Sequence, residues 1–93
     1  MDSNKIILAI LKLDESSSVK NTLIALYVQN RPLTVASLNS ALNLSKTYEN
    51  YTSLLKDVME AGYVSIVDLK DYRSVTRHHF LLNLEPIIDT KEE

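Results

Sequence analysis

Apolar residues recur at intervals of three and four along most of the chain, and that spacing predicts helices. Ile6, Ile7, Ile10, Leu11 and Leu13 follow Ser3-Asn4 and predict a first helix over 4–13 with an N-cap at its start. The polar stretch Asp14-Glu15-Ser16-Ser17-Ser18 breaks the pattern, and Ser18 is placed to cap a second helix over 18–29. Val19, Leu23, Leu26 and Tyr27 share one face of that helix, and Ile24, Ala25 and Val28 widen the stripe. Such a wide stripe predicts a central helix, buried over much of its circumference. Asn30-Arg31-Pro32 ends it, because proline cannot continue a helix and pushes the preceding residue towards extended backbone.

Thr34 is an N-cap type at the start of a short helix bearing Leu38, Ala41 and Leu42, and Asn43-Leu44 makes a turn. Ser45 then opens a longer helix to about Ala61, with Tyr51, Leu54, Leu55, Val58 and Met59 towards the core. Gly62 stands where a left-handed residue is needed to end that helix. Beyond it the period falls to two. Tyr63 to Leu69 and Val75 to Leu82 are rich in β-branched and aromatic residues and predict two strands, joined by the polar turn Lys70-Asp71-Tyr72-Arg73-Ser74. Asn83 caps a last helical turn through Ile88, and 89–93 form a charged tail.

The order of elements predicts an α+β, mostly helical fold: three to four helices followed by a two-stranded β-hairpin. A short helix, a tight turn, a longer helix and a hairpin make the winged helix-turn-helix arrangement. Pro32-Leu33-Thr34-Val35-Ala36-Ser37-Leu38 followed by Leu42-Asn43-Leu44-Ser45 resembles the first helix and turn of MarR-, ArsR- and PadR-type regulators. Asn50-Tyr51-Thr52-Ser53-Leu54-Leu55-Lys56-Asp57-Val58-Met59-Glu60-Ala61-Gly62-Tyr63-Val64 is similar to their recognition helix and the start of the wing, closest to the PadR pattern. Arg77-His78-His79-Phe80-Leu81-Leu82-Asn83 resembles the returning strand of the wing. The small size, helix order and cysteine-free composition also resemble the site-binding adaptors of archaeal plasmid segregation systems. Two departures stand out: a longer loop between 44 and 51, and only ten residues after Asn83 where many relatives carry a long dimerisation helix.

This resemblance implies one domain over 1–93, with its DNA-binding core at 16–83. The helix at 4–13 and the end at 84–93 are left for dimerisation. Apolar positions in both predict a homodimer seam of Ile6, Ile7, Ile10, Leu11, Ile87 and Ile88, since a thin domain is not expected to cover both sets alone.

Composition narrows the chemistry. With 45% hydrophobic and 24% charged residues in 93, the chain is an ordinary small globular domain. It has no cysteine and one glycine, which excludes thiolate metal sites, thiol catalysis and glycine-rich phosphate loops. Its two histidines, His78 and His79, are adjacent and predict a strand pair facing opposite ways rather than a metal site or pH switch. No Ser-His-Asp arrangement is argued by spacing, so no enzyme, cofactor or metal is expected. The longest apolar run, Leu23 to Val28, is far short of the roughly 20 residues that span a bilayer, and the N-terminus lacks a signal-peptide pattern. A cytoplasmic protein with no membrane partner is the expectation.

A net charge of −2 argues mildly against nucleic acid, but its distribution changes the picture. Residues 16–83 sum to +2, while the acidity gathers at 1–15 and 84–93. On the longer helix, Lys46, Glu49, Asn50, Ser53, Lys56 and Asp57 face outward, with Thr47 and Tyr48 at the N-terminal flank. That is where a helix in the major groove meets base edges. Lys70, Tyr72, Arg73 and Arg77 on the hairpin offer phosphate or minor-groove contacts. Tyr48 is open between packing over the turn and touching DNA, and Tyr51 phases with the core. The partners expected are double-stranded DNA with a palindromic site, a second copy of the chain and, for a segregation adaptor, a partition-complex protein. The competing reading is a winged-helix protein-interaction module, which the net charge and acidic tail fit.

Overall fold

The computed structural model describes residues 3–91. Among these, the chain forms α1 (Ser3–Leu11), α2 (Ser17–Gln29), α3 (Val35–Leu42), α4 (Tyr48–Leu54), α5 (Lys56–Glu60), β1 (Val64–Lys70), β2 (Thr76–Leu82) and α6 (Leu84–Lys91). It is α+β and mostly helical, with one two-stranded antiparallel hairpin. The last residues of the expected charged tail lie outside the described part, and α6 is longer than the single turn predicted.

Polar side chains set most element boundaries. Ser16 rather than Ser18 caps α2, accepting from the Val19 N–H at 3.2 Å. Thr34 caps α3 through the Ser37 N–H at 3.1 Å. Asn30 and Asn43 end α2 and α3 in the left-handed region, at φ 53° and 56°. Asparagine tolerates that region better than most residues. Gly62, at φ +85°, closes α5 in a Schellman motif: its N–H donates to Met59 O and the Tyr63 N–H to Val58 O.

The core runs through every helix and the base of the hairpin. Ile6, Ile10, Leu23, Leu26, Leu38, Tyr51, Leu55, Val58, Val64, Phe80 and Ile87 are all buried in it. α2 is central as expected, packed against α1, α3 and β2. In the hairpin, Val64 pairs with Leu82 and Ile66 with Phe80, so the base of the ladder carries the apolar face. Both strands become exposed towards the turn. Leu33 adds a one-residue antiparallel bridge to Phe80, bonded in both directions at 3.0 and 2.7 Å. The segment before α3 is thereby tied to β2.

Two further expectations are corrected. The helix predicted from Ser45 starts at Tyr48 and is interrupted at Leu55, whose φ/ψ of −94°/9° separates α4 from α5. The seam predicted at Ile6, Ile10 and Ile87 is internal: all three are at most 4% exposed because α1 packs against both α2 and α6 within the same chain. Of the six, Ile7 and Ile88 are half-buried and Leu11 is exposed.

Candidate nucleic-acid interface

The turn between α3 and α4 is built around a side chain that no pattern in the sequence singles out. Asn39 Nδ2 donates to Lys46 O at 2.9 Å, and Asn39 Oδ1 accepts the Lys46 N–H at 3.1 Å. The same Oδ1 accepts the Tyr51 hydroxyl at 2.7 Å. One amide thus ties α3, the connecting loop and α4 together. Burial raises the pKa of the Tyr51 hydroxyl, which stays a donor at neutral pH. Asn39 stands between Val35 and Leu42 on a half-buried line of α3, and polar type at such a position is the only signal it offers in sequence.

Thr47 and Asn50 form a reciprocal capping box at the start of α4. The Asn50 N–H donates to Thr47 Oγ1 at 3.1 Å and the Thr47 N–H to Asn50 Oδ1 at 3.0 Å. Ser45 has no such partner three residues on, which is why the helix starts later. Glu49, Asn50, Ser53, Lys56 and Asp57 are exposed, on the side of α4 and α5 away from buried Tyr51, Leu55 and Val58. Lys46, by contrast, precedes the helix and is half-buried. It lines a small depression of about 140 Å³ with Ser18, Asn21 and Leu42, apart from the hairpin.

Tyr48 is fixed by packing. Its ring stacks on His78 at 4.6 Å between centroids and 27° between planes, and lies 5.9 Å from Phe80. His78 Nδ1 sits 2.6 Å from Asp68 Oδ1 across the ladder. A carboxylate only accepts, so Nδ1 carries the proton. The aromatic stack braces the N-terminus of α4 against the hairpin. His79 points to the other face of the ladder and is half-buried, as alternation predicts.

The hairpin turn is organised by Asp71. Its Oδ1 accepts the Arg73 N–H at 2.8 Å and the Val75 N–H at 3.0 Å, while Ser74 adopts φ 62°. Its Oδ2 lies 3.1 Å from Arg77 Nε and 3.4 Å from an Arg73 terminal nitrogen. The bond from Val75 does most to hold the Asp71 carboxyl at about 2, against an ordinary 3.8. Partial desolvation opposes it, and the bonds from Arg77 and Arg73 add to the lowering. The Arg73 guanidinium lies 5.5 Å from the centre of the Tyr72 ring, and Tyr72 is itself 93% exposed.

A cleft of about 650 Å³ runs between the start of α3, the start of α4 and the hairpin turn. Of the predicted contact residues it brings together Tyr48, Tyr72, Arg73 and Arg77, and it adds Thr34, Asp71 and His78. Lys46, Thr47, Glu49, Asn50, Ser53, Lys56 and Lys70 do not line it. No family model, curated protein or solved structure matches the chain. Among the described residues no group of His, Asp and Glu is arranged to hold a metal, and no helix is long and apolar enough to cross a membrane.

Proposed function

We propose that this chain is a sequence-specific double-stranded DNA-binding protein of the winged helix-turn-helix type that works as a homodimer on a palindromic site. In this reading α3 and α4 are the helix-turn-helix, α4 enters the major groove, and the hairpin is the wing. The observation that carries it is the cleft: half-buried Tyr48 at the start of α4 and Arg73 and Arg77 of the hairpin line one open groove, and the exposed Glu49, Asn50 and Ser53 lie outside it on α4. Glu49, Asn50, Ser53 and Lys56 are the side chains available to base edges, and Lys70, Arg73 and Arg77 those available to phosphate. The biological role is either transcription regulation or the marking of a plasmid segregation site, where a partition-complex protein is a further partner.

The homodimer needs a surface other than the one the apolar pattern suggests. α1 is apolar on two sides: Ile6, Ala9 and Ile10 are buried, while Leu8 and Leu11 are about half exposed, at 50% and 47%. Ile7 borders the same outer side and, with Val28 of α2, lines a shallow depression. A second copy placed on Ile7, Leu8, Leu11 and Val28 makes a two-fold pair, the symmetry of a palindromic site.

Selection from a random-sequence duplex pool tests this reading. Enrichment of one two-fold symmetric motif is expected. A pool that stays random after repeated rounds, with the protein passing through DNA resin unretained, contradicts it and favours the protein-interaction module.

A further inference from the structure

Asp71 is the carboxylate nearest the two arginines of the wing, and its two oxygens do different work. Oδ1 closes the turn by accepting two backbone N–H groups. Any side-chain acceptor of similar length does the same, which is why Asn and Asp are interchangeable in such turns. Oδ2 and the negative charge are not needed for that task. They are spent on Arg73 and Arg77, whose side chains are 54% and 47% exposed while that of Asp71 is 18% exposed.

We infer that Asp71 is a built-in brake on DNA affinity: its carboxylate occupies Arg73 and Arg77 and limits their hold on phosphate. The inference rests on the DNA-binding reading above and concerns the regulation of that same surface. A phosphate reaching either guanidinium must share it with a carboxylate a hydrogen bond away and is repelled by that charge. Because the carboxyl is held at about 2, the charge persists throughout the neutral range. His79 shares the ladder face of Arg77, while Lys70, Asp68 and His78 lie on the opposite face, and none of the four bonds to Asp71. Phosphate contacts carry no sequence information, so the brake acts on DNA of every sequence.

The test is Asp71→Asn in the full chain, which keeps the Oδ1 acceptor of the turn and removes the charge. Binding is read by fluorescence anisotropy on a random-sequence duplex between about 50 and 200 mM salt, where one added phosphate contact changes affinity roughly threefold. The expected result is binding at least about threefold tighter at the lower salt, with log K against log salt steeper by up to about one. In an Arg73→Ala/Arg77→Ala background the same substitution should have little effect. Amide spectra of β1 and β2 check the hairpin, and Asp71→Ser, a shorter uncharged acceptor, repeats the test should Asn disturb it. Unchanged or weaker binding, or equal tightening without the arginines, overturns the brake while native binding leaves the DNA reading standing. If the native chain binds no duplex, both fall together.

Discussion

Asn39 carries more of the α3–α4 turn than any capping residue does. Removing its amide leaves the Lys46 N–H, the Lys46 carbonyl and the hydroxyl of fully buried Tyr51 without their partners. Asn39→Ala should therefore cost about 2–4 kcal/mol in urea unfolding, because unsatisfied groups cost more than an average bond contributes. Tyr51→Phe deletes only the hydroxyl and should cost about 1 kcal/mol. A smaller loss for Asn39→Ala than for Tyr51→Phe would show that the amide is not the centre of the turn. Asp71 makes a second residue-level prediction. Its folded pKa of about 2 lies below the ordinary 3.8, so the folded state favours the ionised form. The resulting stabilisation of the hairpin is fully present above about 3.8 and is lost as pH falls through about 2. A carboxyl-carbon titration should find Asp71 well below the ordinary 3.8, and an ordinary midpoint would contradict the bonding of the turn.

At the scale of elements, stability and base reading meet in Asn50. Its side-chain oxygen is engaged by the cap, leaving its amide N–H groups for a base. Asn50→Ala therefore changes two things at once. Asn50→Asp separates them, since a carboxylate near a helix N-terminus still accepts the Thr47 N–H but donates nothing to a base. It should leave the melting temperature within a few degrees of native and narrow the preference for the selected motif over a scrambled duplex, while the added charge weakens both alike. Retained preference in Asn50→Asp would exclude this side chain as a reader. Gly62→Ala probes the end of α5: no atom lies within 4 Å of an added Cβ, so the cost is that of the left-handed backbone alone, about 1 kcal/mol. The element order, the Thr34 cap, the Gly62 stop and the hairpin were legible because each follows from local pattern. Ser45 and Thr47 are both good cap types, and only the reciprocal bond with Asn50 decides between them. The role of Asn39 was hidden because it depends on Lys46 and Tyr51, seven and twelve residues away. His78 and Tyr48 meet only through the hairpin fold.

At the scale of the molecule, periodicity marked α1 and α6 as apolar but not what covers them. Both sets face each other in one chain, and the surplus remains on the outer side of α1. Replacing Leu8 and Leu11 with Glu should therefore give a folded monomer with weakened binding to a palindrome and little change on a half-site. Ile10→Glu should instead unfold the domain, since Ile10 is fully buried. Light scattering together with circular dichroism distinguishes these outcomes, and a native chain already monomeric at micromolar concentration would contradict the seam. The claim that the start of α4 and the hairpin together grip duplex DNA is tested most directly by one titration. Anisotropy of a labelled duplex should report binding whose log K falls linearly with log salt. The slope should be about −2 or steeper, given that Lys56 and Lys70 can each neutralise a phosphate and that Arg73 and Arg77 share theirs with Asp71. No binding, or a slope near zero, would contradict it.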